Sequence, residues 1–241
     1  MIVILTGAGI SKESGLNTYR DADGTWTSVP IDEVATPEAF ARDPVRVHGY
    51  YNSRRQKLLS GEVSPHAAHL ALARLQRTLP EVMLVTQNVD NLHERAGSPR
   101  VIHMHGELLR ARCLACAAEH VRHEDITLES ECPDCGTAGR LRSAVVWFNE
   151  RPLHLPEIAE ALRRCSLFIA IGTSGSVYPA AGFVDLVPGH SIELNLAPSA
   201  VASHFAEAIY GPASETVPAL VDRLLAVYAA AEREADAAGG R

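Results

Sequence analysis

Short apolar runs recur along this chain, and several end in a polar or glycine-bearing turn. Ile2-Val3-Ile4-Leu5 opens it and runs into Gly7-Ala8-Gly9. Val82-Met83-Leu84-Val85 leads to Thr86-Gln87-Asn88-Val89-Asp90, and Leu167–Ile171 leads to Gly172-Thr173-Ser174-Gly175. Ile192-Glu193-Leu194-Asn195 is another such run, and Val101-Ile102 is a short one before His103-Met104-His105-Gly106. Brief apolar runs with β-branched residues read as strands buried on both faces. Sheet patterning returns at Ala144–Phe148. Helical spacing fills the intervals. Thr36 is read as an N-cap with Pro37 at the first helical position, and Ser64-Pro65 repeats the pattern before the stripe Ala68, Leu72, Leu75, Leu79. Helices are expected over 156–164 and 216–232, and the tail from Arg233 is expected to fray. The alternation predicts an α/β fold with a parallel sheet. Turns 6–11, 86–90, 172–176 and 195–199 would converge on one sheet edge, where such folds bind ligands.

Length and charge narrow this picture. A chain of 241 residues fits one α/β domain, or one carrying a small insert. A net charge of −7 argues against a broad nucleic-acid surface. No apolar run reaches the roughly 20 residues that span a bilayer. The N-terminus shows no basic segment or cleavage pattern of a secretory signal, so a compact cytoplasmic, bacterial protein without membrane partners is expected. Within 110–142 the composition shifts to Cys, Gly, Arg and charge. Cys113-x-x-Cys116, then fifteen residues, then Cys132-x-x-Cys135 is the spacing of a structural zinc site with no open position. Cys165 reads as a small core residue.

Candidate chemistry gathers at the turns. Gly7-Ala8-Gly9-Ile10-Ser11 after a strand resembles the start of a dinucleotide turn, but Lys12 stands where a third glycine belongs. No acidic residue closes a clean second strand, so a standard nicotinamide dehydrogenase fits poorly. His103 and His105 are candidate general bases near pH 7. Asn88 and Asp90 flank Val89 and face one way, which suits ribose hydroxyls or a carboxamide, or merely a capped turn.

Together these motifs resemble the sirtuin family of NAD-dependent protein deacylases, in order from about residue 3 to residue 225. Gly7–Ser11 with Glu13-Ser14-Gly15 is similar to the family's first signature, and Tyr19-Arg20 with Asp21–Trp26 to its cofactor loop. Thr86–His93, His105-Gly106, the four cysteines, Val145–Glu150, Gly172-Thr173-Ser174 and Asn195 follow in place. The resemblance implies a Rossmann-like large domain (1–35, 62–108, 143–232) and a small lobe made of a helical module (36–61) and a zinc module (109–142), with 233–241 a flexible tail. It implies NAD contacts at Gly7, Ala8, Gly9, Ser11, Glu13, Tyr19, Arg20, Trp26, Gln87, Asn88, Asp90, Gly172, Thr173, Ser174, Asn195 and Ala213. Val146, Trp147 and Phe148 would hold the acylated peptide, and one structural zinc would sit on Cys113, Cys116, Cys132 and Cys135. His105 would be the base that deprotonates a ribose hydroxyl, directly or through its neighbour, once nicotinamide has left. NAD is then consumed, and lysine, nicotinamide and O-acyl-ADP-ribose are formed. Tyr51-Asn52-Ser53-Arg54 has the Y-x-x-R spacing of the branch that removes succinyl and malonyl groups; one helical turn puts a phenol and a guanidinium fork on one face. The chain departs from the family pattern at Tyr19 (usually Phe), Ser143 (Pro), Asn149 (Gly) and Ala197 (acidic). Two other readings stay open here: ADP-ribosyl transfer to protein with the same cofactor, and a non-catalytic module that senses NAD or binds acylated tails. A monomer is expected.

Overall fold

The computed structural model describes residues 1–18 and 29–239, with the backbone alone for 235–239. Nine strands run in chain order: β1 (Ile2–Thr6), β2 (Val82–Thr86), β3 (Val101–His103), β4 (Gly106–Cys113), β5 (Glu119–Val121), β6 (Leu141–Val145), β7 (Leu167–Ile171), β8 (His190–Asn195) and β9 (Glu207–Tyr210), counted among the described residues. The helices are α1 (Gly9–Lys12), α2 (Ile31–Val34), α3 (Pro37–Arg42), α4 (Pro44–Leu59), α5 (Ala67–Thr78), α6 (Leu92–Arg95), α7 (Leu155–Arg164) and α8 (Ala213–Gly239). No described helix is long and apolar enough to cross a membrane.

Six strands form a parallel sheet in the order β3-β2-β1-β7-β8-β9. Strand side chains alternate between faces, and the core divides accordingly. Ile4, Leu84, Ile169 and Ile192 pack on one face against Leu72 and Leu75 of α5 and Val217, Leu220 and Val221 of α8. Val3, Leu5, Val85 and Phe168 pack on the other against Ile158 and Leu162 of α7 and against Phe183 and Val184. The chain leaves β1 toward β2 on one side and reaches β7 only later on the other. The strand order therefore reverses at the β1–β7 boundary, the switch point where such sheets open a crevice.

A second, antiparallel sheet, β5-β4-β6, has Cys113 at the end of β4, and the other three paired cysteines lie in the turns outside its strands. Its own buried apolar cluster is only Ala111, Cys113, Ile126, Cys132 and Leu141. A larger cluster joins it to the helices before it: Val34, Ala39, Val47, Tyr51 and Leu58 meet Leu108, Leu109, Val145 and Trp147.

Local structure departs from the sequence expectation in three places. Thr36 caps α3 as expected, its Oγ1 accepting from Ala39 N at 3.0 Å. For α5, however, His66 and not Ser64 is the cap: its Nδ1 accepts from Ala68 N at 3.3 Å, while His69 Nδ1 accepts from His66 N at 3.4 Å. The strand expected over 144–148 ends at Val145. The last helix is longer than the expected 216–232, running from Ala213 to Gly239; alanine, frequent there, has the highest helix propensity.

Candidate active site

The Gly7–Gly9 turn and the Gly172 turn interlock at the switch point. Gly7 N donates to Ile171 O at 2.9 Å, and Gly9 N to Gly172 O at 2.8 Å. A Cβ on Gly7 would lie 2.7 Å from Gly172 O. Gly172 has φ +62°, and a Cβ there would lie 2.4 Å from Ile10 N. Neither turn has room for a side chain at the contact, so here glycine is required by close approach as well as by dihedral. Beside them, Gln87 Nε2 donates to Thr173 Oγ1 at 3.1 Å and Asn195 Nδ2 to Thr173 O at 2.7 Å.

Below the turns lies a buried polar network. Asn88 Nδ2 donates to Gly7 O and to Ser11 Oγ, each at 3.0 Å, and Ser11 Oγ donates to Asp90 Oδ2 at 3.0 Å. Burial pushes the Asp90 carboxyl up, against hydrogen bonds from Leu92 N and Ser11 that favour the carboxylate.

The two candidate bases separate. His105 lines the main cavity, and its Nδ1 donates to Gln87 O at 3.0 Å. A carbonyl can only accept, so the proton sits on Nδ1 and Nε2 is the basic atom. Burial lowers the pKa of His105, which keeps the ring neutral. His103 points elsewhere: Nδ1 donates to Asn88 O at 3.2 Å and Nε2 to Glu94 Oε1 at 2.7 Å. Burial alone would lower its pKa, but Glu94 outweighs that and raises it. With an acceptor on each nitrogen, His103 is an ion-pair partner and has no lone pair to offer as a base.

The segment after β6 is held from several sides. Val146 N donates to His105 O at 2.8 Å, Phe148 N to Ala35 O at 2.9 Å, and Trp147 N to Glu150 Oε2 at 2.8 Å. These bonds replace the sheet ladder, which is why the strand stops at Val145. Arg142 donates to Glu150 through Nη1 and Nη2, at 2.7 and 2.9 Å, and its guanidinium carbon lies 3.3 Å from the centroid of the Trp147 ring. Burial raises the Glu150 carboxyl, but the bonds from Arg142 more than reverse that and keep it charged. Asn149 has φ +70°, the conformation for which glycine is usual and asparagine the next best residue.

Two adjoining cavities open here, of about 510 and 340 Å³. Ala8, Asn88 and Val89 line both. Of the residues expected from sequence, Gly7, Ala8, Gly9, Gln87, Asn88, Gly172, Thr173, Ser174, Asn195, His105, Tyr51, Val146, Trp147 and Phe148 line the larger. Ser11, Asp90 and Arg54 line the smaller. Tyr51 and Arg54 thus stand one turn apart on α4 but face different cavities. Glu13 and Ala213 line neither. Glu13 instead accepts from Ser214 N at 3.0 Å and from the Ser214 hydroxyl, fastening the start of α8. Tyr19, Arg20 and Trp26 lie outside the described residues. Sequence reasoning missed the Arg142–Glu150 clamp, and missed Tyr50, Tyr178 and Leu196 along the larger cavity. Glu150 lay inside a quoted motif; nothing in the local sequence pointed to the others.

The four cysteine sulfurs lie within 4.8 Å of one another, with Cys113–Cys135 at 3.8 Å and Cys116–Cys132 at 3.7 Å. A zinc ion with Zn–S bonds of about 2.3 Å at the centre of a tetrahedron has edges of about 3.8 Å. The sulfurs fit zinc, and four protein ligands leave no position for substrate.

Comparison with known proteins follows the same lines. The chain is 54% identical to an NAD-dependent protein deacylase of Escherichia coli strain K12 over 228 residues, covering 93% of this chain and 82% of that one. It is 52% identical to one of Vibrio cholerae over 238 residues, covering 97% of each. A solved complex of a Sir2 homologue with NAD superposes with a TM-score of 0.84 at 37% identity, covering 94% of this chain and 90% of the other. The sequence model of the Sir2 family matches residues 7–179. Glycine turns meeting at the switch point, a neutral histidine on the cavity beside them and a four-cysteine cluster beyond agree with that match, and the chain belongs to the Sir2 family.

Proposed function

We propose that this protein is an NAD-dependent protein-lysine deacylase that removes succinyl, malonyl and acetyl groups, with Nε2 of His105 as the base. One observation carries the reading: the neutral His105, the interlocked glycine turns and the Val146–Phe148 segment face one cavity. NAD, consumed in the reaction, supplies the ribose that takes the acyl group, so that lysine, nicotinamide and O-acyl-ADP-ribose leave. The glycine turns with Gln87, Thr173, Ser174 and Asn195 hold the dinucleotide, and Ser11, Asn88 and Asp90 hold its nicotinamide end. Val146, Trp147 and Phe148 hold the acyl-lysine. His105 takes a proton from a ribose hydroxyl at Nε2, while the Nδ1–H bond to Gln87 O orients the ring and stabilises its charged form. The phenol of Tyr51 and the fork of Arg54, each on one of two joined cavities, bracket an acyl chain that ends in a carboxylate. The large domain spans 1–35, 62–108 and 143–232, and the small lobe spans 36–61 and 109–142. Zinc stabilises the lobe, and the enzyme is a cytoplasmic monomer.

The test is mass spectrometry of one peptide bearing succinyl-lysine or acetyl-lysine, incubated with and without NAD. Expected is NAD-dependent loss of both groups, succinyl faster, with the succinyl reaction cut by Arg54→Ala. Fast acetyl loss with little succinyl loss would return Tyr51 and Arg54 to a structural role. No loss of either would remove the deacylase reading.

A further inference from the structure

Next to Arg54 on α4, and one turn after Tyr51, Arg55 is turned into the protein. Arg55 is 0% exposed, the bulkiest side chain so deeply buried among the described residues. Among those residues no carboxylate pairs with it. Nη1 donates to Asn52 Oδ1 at 2.7 Å, Nη2 donates to Ser143 Oγ at 3.0 Å, and Nε has no partner. Asn52 in turn donates to Ile126 O at 2.9 Å and accepts from Ile126 N at 3.0 Å. The helix that carries Tyr51 and Arg54 is therefore fastened on its inner face to β6, and to the segment between the two cysteine pairs. A buried guanidinium held by neutral acceptors, with one nitrogen already bare, has no substitute if an acceptor is lost. Ser143 supplies one of them. It is also a position where the chain departs from the family pattern, and the usual proline has no side-chain acceptor.

We infer that Arg55 and Ser143 are positioning residues for acyl-group selection: their bond fixes how α4 presents the Tyr51–Arg54 face to the acyl chain. The inference rests on the carboxyl-acyl reading above. A succinyl or malonyl group needs the Arg54 fork in register with its distal carboxylate. An acetyl group has no such carboxylate, so a small rotation of α4 costs it less, although Tyr51 lines the cavity that holds either group. Loss of the buried bond therefore separates the two substrates, which a general loss of stability does not.

Steady-state kinetics of the zinc-loaded full chain at saturating NAD test this, with succinyl and acetyl forms of one peptide. Ser143→Ala is expected to raise KM for the succinyl peptide about tenfold, the scale of one hydrogen bond to a charged group. Its kcat, and both constants for the acetyl peptide, should stay within about twofold. Ser143→Thr keeps a hydroxyl and should keep the preference. Equal changes on both substrates, or none, in a Ser143→Ala protein that melts cooperatively would overturn the inference and leave the deacylase reading intact. Should Ser143→Ala not fold, Arg55→Lys carries the test: a point-like ammonium cannot span both acceptors, so the same KM split is expected, and its absence is decisive. A wild-type enzyme that does not favour the succinyl peptide would overturn the carboxyl-acyl reading and this inference with it.

Discussion

Two buried histidines, on α5 and α6, show how burial sets protonation. Thr6 Oγ1 donates to Thr86 Oγ1 at 2.8 Å, so the 2.9 Å contact between Thr6 Oγ1 and His93 must be a bond donated by His93 Nε2. His69 Nδ1 accepts from His66 N, which leaves Nε2 as its protonated atom. The rings of His69 and His93 lie 5.0 Å apart, 0% and 1% exposed. Burial brings the pKa of His69 down to about 2 and that of His93 to about 4. The folded chain thus leaves both neutral while the unfolded chain takes up protons below about pH 6.5. The contribution of this pair to stability is level near pH 7 and falls as pH drops through 6.5. His93 contributes to the fall down to about pH 4 and His69 to about pH 2. Each adds a slope of up to about 1.4 kcal/mol per pH unit. His48 and His105, also lowered by burial, act in the same sense, whereas His103, held up by Glu94, acts in the opposite sense above pH 6.5, and Asp90, pushed up by burial, opposes the fall on the acid side. Urea unfolding at pH 7 and pH 5 should show a loss of at least about 2 kcal/mol; equal stability at the two pH values would refute neutral burial. None of this was legible in the sequence, where a lone histidine carries no sign of its surroundings. Asn149 was different: it stands where the family has glycine, the residue that positive φ favours, and φ +70° is what the backbone has.

At the level of elements, legibility followed how local the determinant is. The strands β1, β2, β3, β7 and β8 were readable because each is an apolar run closed by a polar turn. β9, Glu207–Tyr210, alternates half-buried with exposed positions at the edge of the sheet and has no such run. The cap of α5 was misplaced because Ser-Pro is the stronger local signal, whereas His66 becomes a cap only through its bonds to Ala68 and His69. The zinc module was legible from cysteine spacing alone, and its packing explains why metal is needed: five small or medium apolar side chains cannot hold two knuckles together. Chelation should therefore cost several kcal/mol, less than the roughly 10–16 kcal/mol that zinc contributes to peptides that fold only with the metal, and lower the melting temperature by on the order of 10 °C. Hydrogen exchange should localise the loss to 109–142. An unchanged melting temperature after zinc loss verified by metal analysis would show that the module stands without the ion.

The whole molecule depends on a contact that no segment encodes by itself. The order of the motifs along the chain was enough to name a fold, yet the fit between the Gly7–Gly9 turn and the Gly172 turn joins residues more than 160 positions apart. There the two halves of the sheet abut at β1 and β7, and the cavity opens on the same edge. Gly172→Ala places a methyl group 2.4 Å from Ile10 N at φ +62°, a conformation that costs alanine about 1 kcal/mol before any clash. Relief requires the turns to part, and parting them moves Gly7, Gly9 and Thr173 together. Loss of stability and loss of cofactor affinity should then come as one event. A ligand at a hundred times its Kd adds about 2.7 kcal/mol to the stability of the protein that binds it, so NAD should raise the melting temperature of the wild type measurably. Gly172→Ala should melt several degrees lower and lose that rise. A variant that melts lower but keeps the full NAD response would mean that the interlock serves folding alone and that the cofactor is held elsewhere on the cavity wall.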